Sequence, residues 1–135
     1  MFRNFYLTID GKDIDATRDG IISCAFLVSN VLHMFPAPQW IGGPHLTVTS
    51  TVKDLLAHEW YEIDAPRPGA TLVWEPKLIK GNMNEHIGFY VGDDMAVSNR
   101  SEHGVPMKHH WTYGEENGKP VRKVTKILWH LALEK

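Results

Sequence analysis

The sequence predicts an α+β fold in which N-terminal helices pack on an antiparallel β-sheet. Apolar residues recur at helical spacing in the first half of the chain, whereas short segments from residue 71 onward alternate between polar and apolar residues. Helices followed by a run of strands are typical of α+β folds. The 135 residues fit one domain, residues 1–135, that is large enough to bury its own core.

The first predicted helix follows a polar segment that ends at Gly20, which we interpret as a short arm or strand and a loop. Within residues 21–35, apolar side chains recur at helical spacing: Phe26, Leu27, Val31 and Met34. Ser23 is the predicted N-cap, and prolines at positions 36 and 38 end the helix.

The second predicted helix covers residues 49–60. Ser50 or Thr51 is its expected N-cap, and Asp54 stands near the position of a capping-box acid. A proline- and glycine-containing turn at residues 65–69 separates this helix from the predicted sheet.

The predicted strands are residues 71–75, 85–91, 95–99 and 121–133. A tight turn at residues 92–94 joins the second and third of these strands into a hairpin. Residues 105–113 are predicted to be a loop or an irregular strand.

Composition excludes several classes of partner. The formal net charge is −2 and the basic residues form no block, so we expect no nucleic-acid partner. No apolar run reaches the roughly 18 residues that a membrane span needs. The N-terminal segment turns polar too early for a signal peptide. We make no prediction of localisation, since phage-type release, export and removal of a leader would all fit this sequence.

Cys24 is the first candidate catalytic residue. It is the one cysteine of the chain and lies at the start of the first predicted helix. The free N–H groups and the dipole at a helix N-terminus stabilise an anion, and they lower the pKa of a cysteine there. The position therefore predicts a nucleophilic thiolate.

His86 is the predicted base for this nucleophile. It begins a predicted strand, on which His86, Gly88 and Tyr90 share one face. Gly88 would leave space on that face for a helix or a substrate.

The third candidate is the group that orients His86, which we expect on the returning strand of the hairpin. Both Ser98 and Asn99 lie there, and strand alternation allows only one of them to face the site. Asn99 is the predicted orienting residue because its amide oxygen is a fixed acceptor, whereas a hydroxyl group rotates.

The chain resembles the NlpC-type cell-wall endopeptidases, which are papain-like cysteine peptidases. Residues 23–28 resemble the cysteine-containing helix start of that family, and residues 66–74 its Pro-Gly-Asp strand entry. The run His86-Ile-Gly-Phe-Tyr-Val-Gly92 is similar to its His-Val-Gly-Ile-Tyr strand and is the most specific of these motifs. The resemblance covers roughly residues 20–105, including residues 54–60.

The resemblance implies a papain-like, NlpC-type fold, with Cys24 as nucleophile, His86 as base and a third polar residue at Ser98 or Asn99. A gapless match favours Ser98. The third position is often histidine in the family, Ser23 stands where an Asp is usual, and Ala70 replaces the Asp after Pro-Gly. The chain is thus expected to be a divergent member that hydrolyses an amide bond, with peptidoglycan stem peptides as the implied substrate.

We expect no metal and no cofactor. His109 and His110 are adjacent, so on a strand their side chains would diverge, and no carboxylate stands at a metal-ligand spacing. The expected enzyme is a monomeric thiol protease acting on peptidoglycan or another peptide. Two alternatives stay open: an acyltransferase or transglutaminase-like enzyme with the same Cys–His pair, and an inactive binding module of the same fold.

Overall fold

A computed structural model of the chain describes residues 6–15, 23–79, 81–100 and 105–134. In these residues the fold is α+β, with two helices packed on an antiparallel sheet, which confirms the predicted class. The elements in chain order are β1 (Tyr6–Ile9), β2 (Lys12–Asp15), α1 (Cys24–His33), α2 (Val48–Leu56), β3 (Trp60–Glu62), β4 (Thr71–Ile79), β5 (Asn82–Gly92), β6 (Met95–Arg100), β7 (Val105–His110), β8 (Glu115–Glu116), β9 (Lys119–Pro120), β10 (Val124–His130) and a 3₁₀ turn (Leu131–Glu134).

The main sheet has six strands in the order β3-β10-β4-β5-β6-β7, and β1–β2 and β8–β9 form two further small pairs. The β5–β6 hairpin forms as predicted, with Asp93 (φ 53°) and Asp94 (φ 58°) in the left-handed conformation that suits a two-residue hairpin turn. Several predicted bounds differ from the structure. The second helix ends at Leu56 instead of residue 60, and residues 105–110 form a regular edge strand. The predicted strand 71–75 extends to Ile79, the predicted strand 85–91 covers Asn82–Gly92, and the last strand covers Val124–His130 instead of residues 121–133.

The N-cap of α1 is the predicted residue, whereas the N-cap of α2 differs from the expected one. Ser23 stands at the N-cap of α1, but its hydroxyl makes no capping hydrogen bond and instead accepts from Nδ2 of Asn99. At α2 the cap is Thr47, whose Oγ1 accepts from the Ser50 amide at 3.1 Å, because the helix begins earlier than predicted. In the polar segment that ends at Gly20, residues 6–15 form the β1–β2 pair, and the rest of the predicted arm and loop lies outside the described residues.

The main sheet has an apolar cluster on each face. Cys24 and Val28 of α1 pack with Val73 of β4 and Ile87 of β5 on the helix side. Trp74 and Tyr90 belong to the cluster on the other side, because side chains alternate along each strand. Strand β5 therefore presents Ile87 to Cys24 and directs the His86 ring toward Trp74. Of the described segments, neither helix is long and apolar enough to cross a bilayer.

Candidate active site

Cys24 is the first residue of α1, and its side chain is 7% exposed. It lines a cavity of about 350 Å³ between the start of α2 and the β4–β5 pair. The other described residues that line this cavity are Leu46, Thr47, Val48, Thr49, Pro76, Met83, Asn84 and Glu85. The thiol is thus the candidate nucleophile, and the cavity that it lines has both polar and apolar surface.

The environment of Cys24 does not favour a resting thiolate. Burial raises the pKa of the Cys24 thiol, and this effect outweighs the backbone N–H groups of Ile87 and Ala25 and the charge of Arg122, which act to lower it. The predicted lowering of this pKa at the helix start is therefore wrong. A helix N-terminus lowers a thiol pKa most where solvent also reaches the sulfur, and here the sulfur is enclosed.

His86 lies on β5 directly before Ile87, whose backbone amide adjoins the Cys24 thiol. Its ring centroid is 5.3 Å from that of Trp74 on β4. The side chain is half-buried, and the dense protein around it lowers the pKa of His86 to about 3, with the charges of Arg122 and His109 adding to the effect of burial. His86 is therefore a neutral imidazole at neutral pH.

Ile87, the residue after His86, adjoins the Cys24 thiol, but no hydrogen bond joins the side chains of Cys24 and His86 in the described part of the structure, and strand alternation directs them to opposite faces of β5. The β4–β5 register shifts between Trp74 and Lys77, next to the pairing of Trp74 with His86. Arg122 lies at this irregularity, with Nε donating to the Glu75 carbonyl at 3.1 Å and Nη2 donating to the Asn84 carbonyl at 3.0 Å. Sequence reasoning missed Arg122.

Ser98, and not Asn99, contacts the His86 ring. Oγ of Ser98 lies 2.8 Å from Nε2 of His86, so the prediction that Asn99 orients this histidine is wrong. With Gly92 paired to Met95, an unbroken hairpin register would bring Asn99 opposite Gly88. An irregularity between Tyr90 and Gly92 shifts the register by one residue, so Ser98 pairs with Gly88 instead. A register shift of one residue turns each side chain of the strand to the opposite face of the sheet, so Ser98 takes the position that Asn99 would have had.

Asn99 points to the helix side of the sheet. It is 1% exposed, and its Nδ2 donates to Oγ of Ser23 just before α1. Its Oδ1 is buried and has no hydrogen-bond partner in the described part of the chain. Asn99 therefore connects the sheet to the start of the helix that carries Cys24.

His109 and Tyr113 complete the surroundings of Ser98, and sequence reasoning assigned them no role there. Nε2 of His109 lies 2.7 Å and Oη of Tyr113 lies 3.4 Å from Oγ of Ser98. The rings of His109 and Tyr113 stack at 4.1 Å with an interplanar angle of 13°. Alternation along β7 is the signal that could have found His109, since it lies two residues from Met107, the partner of Ser98 in β6.

A second cluster of polar side chains lies around Asp54 of α2. Nε2 of His45 lies 2.5 Å from Oδ2 of Asp54, and Nδ1 of His58 lies 2.9 Å from Oδ1 of Asp54. The Gly42 amide donates to the same Oδ1 at 3.0 Å. Burial opposes ionisation of Asp54, but the hydrogen bonds from His45 and Gly42 and the charges of both histidines lower its pKa overall. Asp54 thus ties the segment before the cavity residues to α2.

In the described residues, no group of three histidine, cysteine, aspartate or glutamate side chains has an arrangement that would hold a metal ion. The adjacent His109 and His110 diverge, since His109 contacts Ser98 while Nδ1 of His110 accepts from the Thr112 amide at 3.2 Å. The expectation of a metal-free site stays a prediction.

Comparison with protein families, with curated proteins and with solved structures finds no match to this chain. The functional argument therefore depends on the chemistry of the site.

Proposed function

We propose that this chain is a cysteine peptidase or amidase with Cys24 as nucleophile and His86 as general base. The observation that carries the proposal is the position of Cys24, which starts a helix, lines the 350 Å³ cavity and adjoins the residue after His86. We further propose that the α+β fold is of the papain-like, NlpC type. The motif resemblance supports this fold and supports peptidoglycan stem peptides as the substrate.

The protonation states favour general-base catalysis over a preformed ion pair. Cys24 is a thiol and His86 a neutral imidazole before substrate binds, because burial disfavours the charged form of each. Nε2 of His86 contacts Ser98, so in this proposal Nδ1 is the nitrogen that accepts the thiol proton. The His86 ring lies on the face of β5 opposite Cys24, so the proposal requires a rearrangement in the substrate complex that brings this ring to the thiol.

The reaction then follows the acyl-transfer sequence. Sγ of Cys24 attacks the amide carbonyl, and backbone N–H groups at the start of α1 stabilise the oxyanion. The protonated His86 gives its proton to the leaving amine, which leaves a thioester on Cys24. Water, deprotonated by His86, attacks the thioester, releases the acid and restores the thiol.

The test is mass spectrometry of purified peptidoglycan and of synthetic stem peptides after incubation with the protein. Cleavage is expected with the wild type and no product with Cys24→Ala or His86→Ala. His33→Ala is the matched control, because His33 is an exposed histidine at the end of α1 and should be fully active. Cleavage by Cys24→Ala would overturn the proposal, and transfer of the acyl group to an added amine would identify an acyltransferase.

A further inference from the structure

We propose that Ser98 and His109 form a hydrogen-bonded relay that fixes the tautomer of His86 and leaves Nδ1 free to act as base. This inference rests on the proposed function, since it assigns a purpose to the relay only if His86 is the base. Ser98 and His109 are positioning residues that act through the His86 ring. The relay runs across three neighbouring strands, β5, β6 and β7.

A backbone carbonyl oxygen fixes which groups in the relay donate and which accept. Nδ1 of His109 lies 2.8 Å from the carbonyl oxygen of His110. A carbonyl oxygen can only accept, so Nδ1 of His109 carries the hydrogen. When the His109 imidazole is neutral, its other nitrogen is an acceptor, which makes Nε2 of His109 the acceptor toward Ser98.

The Ser98 hydroxyl in turn determines whether Nε2 of His86 donates or accepts. It has one hydrogen, and Nε2 of His109 at 2.7 Å is a partner that can only accept it. Oγ of Ser98 must therefore accept from its other neighbours. These are Nε2–H of His86 at 2.8 Å and the hydroxyl of Tyr113 at 3.4 Å.

The His86 ring consequently holds its hydrogen on Nε2 and a lone pair on Nδ1. In the proposed mechanism this is the tautomer that can take a proton from a thiol, whereas the opposite tautomer would carry an N–H group instead of a lone pair at Nδ1. The carbonyl oxygen of His110 thus sets the proton arrangement of His86 through two intervening side chains.

Packing holds the relay in place. Tyr113 covers one face of His109, and the Trp74 ring lies 5.3 Å from the His86 ring and 5.6 Å from the His109 ring. Nε1 of Trp74 donates to the Trp111 carbonyl at 2.7 Å, which fixes the indole. Gly88 lets β6 approach, because a Cβ atom there would lie 2.7 Å from Cβ of Ser98.

The tautomer can be measured without any activity. We would record ¹⁵N NMR spectra of the histidine rings in the Cys24→Ala protein at pH 8, where histidines are neutral by their ordinary pKa. The Nε2–H tautomer of His86 is expected. His109→Phe keeps an aromatic ring beside Tyr113 but removes the acceptor, so His86 should lose its single tautomer, with circular dichroism and thermal unfolding confirming that the fold is retained.

Kinetics in the Cys24-containing protein give the second readout. His109→Phe and Ser98→Ala should each lower kcat about tenfold to hundredfold with little change in KM, and the double variant should be no worse than either. His109→Gln should recover most of kcat, since its amide oxygen can replace Nε2 as the acceptor. An unchanged His86 tautomer and kcat in His109→Phe would overturn the relay. A tautomer that responds to His109→Phe in a protein that cleaves nothing would leave the relay standing and overturn the proposed function.

Discussion

At the scale of single residues, burial acts on Cys24 and His86 in the same sense. It raises the pKa of the thiol and lowers the pKa of the imidazole, so both side chains are neutral at neutral pH. A buried ion pair in the absence of substrate would have to overcome the desolvation of two charges. In the proposed mechanism, keeping both groups neutral avoids this cost until a substrate carbonyl accepts the electron pair of the sulfur.

The lowered pKa of His86 predicts a pH dependence of stability. Between about pH 6.5 and about pH 3 the unfolded chain binds a proton at His86 that the folded protein does not bind. The free energy of unfolding should therefore fall as the pH falls through this range, by up to about 1.4 kcal/mol per pH unit from this group. Urea unfolding of the wild type and of His86→Gln at pH 4 to 7 measures the difference in slope. Equal slopes in the two proteins would contradict a neutral buried His86.

At the scale of elements, Asp54 connects α2 to the segment that leads into the cavity. Asp54→Ala should lower the free energy of unfolding by about 2 kcal/mol, because the Gly42 amide and His45 lose a shared charged acceptor. Asp64→Ala is the control, since Asp64 is exposed and should be within about 0.5 kcal/mol of the wild type. Chemical unfolding monitored by tryptophan fluorescence compares the two variants, and an equal loss in both would argue against the Asp54 cluster.

The sequence predicted those elements whose signal is local. The β5–β6 hairpin was predictable because alternation and a tight turn lie next to each other in the chain. Strand β7 was not, since it contains Pro106 and two adjacent histidines and gains its regular form from pairing with β6. The contact between His109 and Ser98 depends on that pairing. The choice between Ser98 and Asn99 depends on one register irregularity, which strand alternation does not indicate, although the gapless motif match favoured Ser98.

At the scale of the whole molecule, Asn99 joins the two layers of the fold. Its amide reaches from β6 to Ser23 at the start of α1, in a position sealed from solvent. Asn99→Ala should therefore act mainly on stability, lowering the free energy of unfolding by about 1–3 kcal/mol.

Ser98→Ala provides the comparison, since it should lower kcat more than Asn99→Ala does and stability less. Thermal unfolding and steady-state kinetics on both variants measure the two effects. A larger loss of kcat than of stability in Asn99→Ala would restore Asn99 as an orienting residue of the site.

The burial of Cys24 also affects how readily oxidants react with its sulfur. Peroxide reacts with thiolates, and the sulfur here is a protonated thiol inside the protein. The sequence has no second cysteine that could convert a sulfenic acid into a reversible disulfide, so oxidation of this sulfur would have no rescue within the chain. We therefore expect peroxide to oxidise Cys24 more slowly than it would oxidise an exposed thiolate.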